Sequence, residues 1–61
     1  MITSPWSREN VLLVRDVRGW YELIDTTETC DTYPVALRTG VSFSSLAAGL
    51  EFIERLPLVV P

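Results

Sequence analysis

The chain has 61 residues, among them five basic and eight acidic side chains, one cysteine and no histidine. A chain of this length is expected to form one small domain that buries only about 60% of its unfolded surface, without room for a second domain. The lack of histidine argues against a catalytic triad and a zinc site, and Cys30 has no partner for an intramolecular disulfide. The net charge of −3 argues against general nucleic-acid binding. We therefore predict no enzymatic activity and no cofactor.

Residues 1–10 are predicted to form either an extended arm or a short helical turn. Ser4 followed by Pro5 matches a helix cap and a first helical position, which places the turn over residues 5–9. Trp6 is too large an apolar side chain to leave in water, so we expect it to pack on the domain or on a partner. No secretion signal and no run of about 20 apolar residues is present in the sequence, so we expect a cytoplasmic protein without membrane contact.

Residues 11–26 predict a β-hairpin, because two segments rich in β-branched and aliphatic side chains flank Arg18-Gly19. Asp16 and Gly19 suit a type I turn followed by a glycine bulge. A two-residue turn on Arg18-Gly19 ranks second, because it would force arginine to a positive φ. The bulged register makes four cross-strand pairs: Leu13 with Leu23 and Arg15 with Tyr21 on one face, Leu12 with Ile24 and Val14 with Glu22 on the other.

Residues 27–33 are polar and predict an acidic loop or a frayed edge. A third strand is predicted over residues 34–38, at an edge of the sheet, because Pro34 has no N–H to donate to a ladder. Thr39-Gly40 is predicted to turn the chain after this strand.

Residues 44–56 predict a helix, with Ser44 as its N-cap and Pro57 as its stop. Its apolar side forms a stripe of roughly 160°, wider than one small sheet needs, made of Leu46, Gly49, Leu50, Phe52, Ile53 and Leu56. Gly49 costs about 1 kcal/mol of helix propensity, which close approach to the sheet or to a partner would offset. Residues 57–61 form an apolar tail. These elements predict an α+β fold: a small antiparallel sheet of a hairpin and a third strand, with one C-terminal helix packed on it.

Four carboxylates follow one another at intervals of three residues without an intervening basic residue; they are Glu22, Asp25, Glu28 and Asp31. Such a run predicts a local negative field that meets a basic partner surface. The alternative is an acidic loop that only interacts with water.

Large apolar side chains are too numerous for so short a chain to enclose, so some of them are expected at an interface. Trp20 beside Arg18 at the hairpin tip, or Phe52 on the helix, is the predicted anchor, because aromatic side chains and arginine are common in binding hot spots. Trp20 folded over the end of the sheet is the alternative.

The small size, the acidity and the lack of catalytic residues resemble small inhibitors encoded by phages and mobile elements, including anti-CRISPR and antitoxin-type proteins. This resemblance is one of composition and transfers no residue. The leading hypothesis is a non-enzymatic protein-binding module, an inhibitor whose acidic surface meets a basic, nucleic-acid-binding partner. A structural homo-oligomer, in which a second copy shares the core, is the alternative. A specific nucleic-acid binder that uses Arg15, Arg18 and Arg38 ranks third.

Overall fold

The computed structural model describes residues 6–58. It contains the following elements in chain order: a 3-10 turn Arg8–Asn10, β1 Val11–Arg15, β2 Tyr21–Asp25, β3 Thr29–Cys30, β4 Tyr33–Pro34, β5 Leu37–Phe43 and α1 Leu46–Glu54. Three strands form an antiparallel sheet in the order β1-β2-β5, while β3 and β4 pair separately. Helix α1 packs on one face of the larger sheet. The predicted α+β fold is confirmed.

The helical turn before β1 covers Arg8–Asn10 rather than the predicted residues 5–9. Residues 1–5, which include the proposed cap, lie outside the described part of the chain. Arg8 links this turn to the end of α1: its N–H donates to the Pro57 carbonyl at 2.9 Å, and its guanidinium donates to the Glu54 carbonyl at 2.8 Å. The last carbonyls of a helix lack intrahelical partners, so this arginine satisfies groups that would otherwise need water.

The β1–β2 hairpin has the register predicted from the sequence, with Leu13 opposite Leu23. Its turn is also confirmed. Gly19 has a φ of 85° and donates its N–H to the Asp16 carbonyl at 3.1 Å, and Asp16 donates to the Trp20 carbonyl at 2.7 Å. Glycine adopts this positive φ without the steric penalty that a side chain would bring, which is why the bulge forms at this position.

The third strand is Leu37–Phe43, so its predicted position at residues 34–38 is wrong. The predicted turn at Thr39-Gly40 is also wrong, because both residues lie inside the strand at an irregularity in its register with β2. Gly40 has a φ of 82°, and the Thr39 hydroxyl donates to the Leu23 carbonyl at 2.8 Å. The positive φ of a glycine fits a β-bulge equally well as a turn. At this bulge, the threonine hydroxyl takes the place of a backbone hydrogen bond of the sheet.

Residues 27–33 are not a simple loop, because they contain β3 and the start of β4. The two short strands are joined at Asp31, which has a φ of 59°. Aspartate tolerates this left-handed conformation better than most residues, which allows the tight connection. Pro34 belongs to β4 rather than to the third strand of the larger sheet.

Helix α1 is shorter at both ends than the predicted residues 44–56. Its N-cap is Ser45 rather than Ser44: the Ser45 hydroxyl accepts the N–H of Ala48 at 3.2 Å. A capping hydroxyl bonds the third helical residue, and only the second of the two serines is three residues before Ala48. The helix ends before Pro57, as predicted.

The core lies between α1 and the sheet. Leu23 is fully buried, Leu56 is nearly so, and the Phe43 and Phe52 ring centres are 5.3 Å apart. A Cβ atom added at Gly49 would lie only 2.7 Å from Leu13 Cδ1. The close approach predicted for this glycine is therefore confirmed.

The predicted apolar stripe of α1 is wider than the surface it covers. Leu46 and Leu50 remain 46% and 49% exposed. In the tail, Pro57 and Leu58 are exposed, and residues 59–61 lie outside the described chain.

Candidate protein-binding surface

One face of the larger sheet points away from α1. Leu13 contacts the helix at Gly49, so side-chain alternation along β1 directs its even-numbered residues to the opposite side. This face extends across three strands through the cross-strand pairs Leu12–Ile24, Val14–Glu22 and Ile24–Arg38. We call it the outer face; by pairing and alternation its members include Leu12, Val14, Trp20, Glu22, Ile24, Arg38 and Ser42.

Three large apolar side chains of the outer face are open to solvent. Leu12 is 44% exposed, Val14 is 47% exposed and Trp20 is 41% exposed. Ile24 is buried between its cross-strand neighbours Leu12 and Arg38. No other element within residues 6–58 covers these side chains enough to bury them, so the outer face presents an apolar strip.

The charges on the outer face are paired. Arg38 Nε donates to Glu22 Oε2 at 2.8 Å, and the Glu22 side chain is only 12% exposed. This hydrogen bond and the carboxylate charge raise the pKa of Arg38 above its ordinary value. The expectation that Glu22 is unopposed does not hold, because β5 brings a basic side chain from 16 residues further along the chain.

The hairpin tip, residues 16–20, is held together by the Asp16 carboxylate. Asp16 Oδ1 accepts the N–H groups of Arg18 at 2.8 Å and Trp20 at 2.9 Å, and Oδ2 accepts from the Arg18 guanidinium at 2.9 Å. The Arg18 guanidinium carbon lies 4.8 Å from the centre of the Trp20 ring, which is cation–π geometry. The structure therefore brings Arg18 and Trp20 together, as their sequence positions suggested, and orders both side chains beside the outer face.

Asp25 has a local structural role. Its Oδ1 accepts the N–H of Thr27 at 2.8 Å, which turns the chain after β2. Hydrogen bonds from the side chain and backbone of Thr27, with a smaller one from Trp6, lower the pKa of Asp25. Alternation along β2 directs Asp25 to the helix side, opposite to Glu22.

The remaining acidic residues of the predicted site lie in the β3–β4 hairpin. Glu28 precedes β3, Asp31 connects the two strands, and both are exposed. The four predicted carboxylates are therefore not on one common surface: Glu22 is on the outer face, Asp25 is on the helix side, and the last two belong to the separate β3–β4 hairpin.

Phe52 contacts aromatic side chains inside the domain. Its ring centre lies 5.3 Å from that of Phe43 and 6.4 Å from that of Trp6. Trp6 thus packs on the domain, as predicted. Of the two proposed anchors, Trp20 is the one that the structure leaves on an open face, while Phe52 is half-buried on the side of α1 that contacts Phe43 and Trp6.

Leu12 and Val14 were not predicted as site residues, although the sequence carried a signal for them. The run from Val11 to Val14 is apolar at every position, which is typical of a strand covered on both faces. The helix covers one side of this strand, so the other side of the same run is the apolar strip of the outer face.

Stability is expected to fall at acidic pH because of Asp16 and Asp25. Desolvation raises the pKa of Asp16, but hydrogen bonds from Arg18 and Trp20 outweigh this effect. The carboxyls of Asp16 and Asp25 therefore both have a pKa below their ordinary value of 3.8. A lowered folded-state pKa stabilises the fold above the unfolded pKa, and this contribution is lost as pH falls through the folded value. The melting temperature should thus hold down to about pH 4 and fall below it. D16N and D25N should flatten this acid decline; an unchanged decline in both variants would contradict the assignment.

Residues 6–58 contain no group of three Cys, Asp or Glu side chains arranged to hold a metal ion. In the same part of the chain, no helix combines the length and the hydropathy that crossing a membrane requires. No protein-family model, curated protein or solved structure matches this chain.

Proposed function

We propose that this protein is a non-enzymatic protein-binding module that docks through the outer face of its sheet and the adjoining hairpin tip. The observation that carries the proposal is the apolar strip of Leu12, Val14 and Trp20, left open on a face whose charges are already paired. Covering such a strip is favourable by about 25 cal/mol per Å² of apolar surface removed from water.

The hairpin tip supports binding because its anchor side chains are ordered before any partner arrives. Arg18 is fixed by Asp16 and lies over Trp20. Ordering a flexible side chain at an interface costs about 0.5–1.5 kcal/mol, and here part of that cost is met within the fold. Tryptophan and arginine are also the residue types most enriched in binding hot spots.

For the partner, we propose a protein with an apolar patch next to a basic one, consistent with an inhibitor of a nucleic-acid-binding protein. The ion pair with Arg38 neutralises Glu22 on the outer face, so the acidic contact would fall to Glu28 and Asp31 on the β3–β4 hairpin. Complementary charges at the rim of an interface speed association and favour the correct partner. Direct nucleic-acid binding receives less support, because Arg18 and Arg38 are already paired with carboxylates.

The proposal is tested by comparing two pairs of substitutions of matched exposure. L12S/V14S makes two of the three side chains of the apolar strip polar, and L46S/L50S does the same to two equally exposed leucines on the flank of α1. Each folded variant is immobilised, proteins from cells that express the chain are captured, and the dissociation constant of a partner specific to the wild type is measured. We expect L12S/V14S to weaken binding more than tenfold and L46S/L50S to change it less than threefold.

The same assay tests the partner's charge. E28K/D31K should weaken binding to a basic partner, with an effect that decreases as salt is added. Equal affinities for the wild type and L12S/V14S would contradict the proposed docking surface. Unchanged affinity for E28K/D31K would contradict only the basic partner.

A further inference from the structure

The outer edge of β1 carries backbone groups that point away from the sheet. Thr26 donates to the Asn10 carbonyl, and Asp16 donates to the Trp20 carbonyl, so residues 10 and 16 are bonded toward the neighbouring strand. In an antiparallel ladder this direction alternates from residue to residue. The N–H and C=O groups of Val11, Leu13 and Arg15 therefore face the open edge, where no strand of residues 6–58 pairs with them.

This edge lacks the features that usually prevent pairing between sheets. Strand β5, at the other edge, contains a bulge at Gly40 that interrupts a regular ladder. Strand β1 pairs without a bulge over Val11–Arg15, contains no proline, and has a single charged residue at its end. Regular, apolar edges of this kind are templates for a further strand.

We propose that the β1 edge binds the β1 edge of a second copy of this chain, antiparallel and with the two-fold axis at Leu13. In this register Leu13 faces Leu13 of the second copy, and Val11 faces Arg15 at both ends. All outward N–H and C=O groups of the three residues are then used. A shift of two residues in either direction would leave some of them without a partner.

Charge favours the same arrangement. The antiparallel register places the two Arg15 side chains at opposite ends of the seam, about 14 Å apart at 3.4 Å per residue. That distance exceeds the Debye length of about 8 Å at physiological salt. A parallel pairing would set the two arginines side by side, where like charges repel.

The pairing also joins the two outer faces. Leu12 of each copy lies opposite Val14 of the other in a non-hydrogen-bonded pair, where side chains approach most closely.

Two five-residue edges bury less than the roughly 1,000 Å² of a stable interface, so we expect a weak dimer with a Kd between about 10 μM and 1 mM. The inference is independent of the proposed partner, because it depends on the backbone of odd-numbered residues.

The first test compares R15P with R15A by sedimentation and amide hydrogen exchange. Proline removes an outward N–H without touching the β1–β2 ladder, whereas alanine keeps that N–H. Wild type and R15A should form dimers as concentration rises, with growing protection of the Val11 and Leu13 amides. R15P should remain monomeric at concentrations at least tenfold higher than those at which the wild type forms dimers.

The second test determines the register and does not depend on R15P folding. Two single-cysteine variants, L12C and V14C, are made with C30S to remove the exposed native thiol. Under mild oxidation, a mixture of the two should form the mixed disulfide faster than either variant alone forms its own. Faster self-linking of either variant would contradict the register.

Three results would overturn the proposal as a whole. The first is a wild-type monomer at 1 mM, about the weakest affinity expected here. The second is a dimer that R15P leaves intact, which would place the contact elsewhere. The third is protection of the Val11 and Leu13 amides that does not change with concentration, which would mean that the chain covers its own edge.

Discussion

Gly49→Val is expected to lower the free energy of unfolding by more than about 3 kcal/mol, or to prevent folding. Even a single Cβ at this position would lie 2.7 Å from Leu13 Cδ1 and 3.3 Å from Phe43 Cδ2. Overpacking a core usually costs about 1–3 kcal/mol, and valine adds two methyl groups beyond that Cβ. Valine is a slightly better helix former than glycine, so a loss of stability must come from packing.

The control is Ala47→Val, which introduces the same side chain at an exposed position of the same helix. Its cost should stay near 0.5 kcal/mol, the difference in helix propensity. Urea unfolding followed by circular dichroism gives both values. Combining Gly49→Val with Leu13→Ala should recover part of the loss, because shortening Leu13 makes room for the new methyl groups. A Gly49→Val protein as stable as the wild type would show that α1 does not pack closely on β1.

Leu23→Ala is the second substitution with a large expected effect. Leu23 is fully buried in the central strand of the larger sheet. Truncating a buried leucine costs about 2–5 kcal/mol, and a domain of this size has few kilocalories to lose. We expect the variant to be largely unfolded at 37 °C.

Leu12→Ala on the adjacent strand is the matched control, because Leu12 is nearly half exposed. Its cost should be about 1 kcal/mol, since much of the side chain is already in contact with water. Equal losses in the two variants would mean that the outer face is covered in the isolated domain, which would remove the basis of the docking surface.

Local rules in the sequence were sufficient to predict the first hairpin and much of the helix. Asp16 and Gly19 specify a turn type, and the turn type determines which residues of β1 and β2 pair. The apolar periodicity of residues 46–56 identified the helix and singled out Gly49 as the point of close approach. Each of these inferences depends on residues close together in the chain.

The third strand was misplaced because its position depends on contacts between distant residues. Gly40 has a positive φ that suits either a turn or a bulge, and the hydrogen bond between Thr39 and Leu23 decides for the bulge. The Glu22–Arg38 ion pair follows from that register and was missed for the same reason. An acidic run that looks unopposed along the chain is therefore split in space, with one member neutralised and another on the opposite side.

The apolar excess of the sequence is also located by the fold. Part of it forms the core under α1, and three of the large apolar side chains that remain exposed, Leu12, Val14 and Trp20, lie together on the outer face. We propose that this face, rather than the exposed flank of α1, contacts a partner.

The most direct measurement of that claim is an NMR titration of methyl- and indole-labelled protein with a partner obtained by capture. We predict that the Leu12 and Val14 methyl signals and the Trp20 indole signal shift or broaden most, while those of Leu46 and Leu50 stay unchanged. Perturbation confined to Leu46 and Leu50, with an unaffected outer face, would contradict the account.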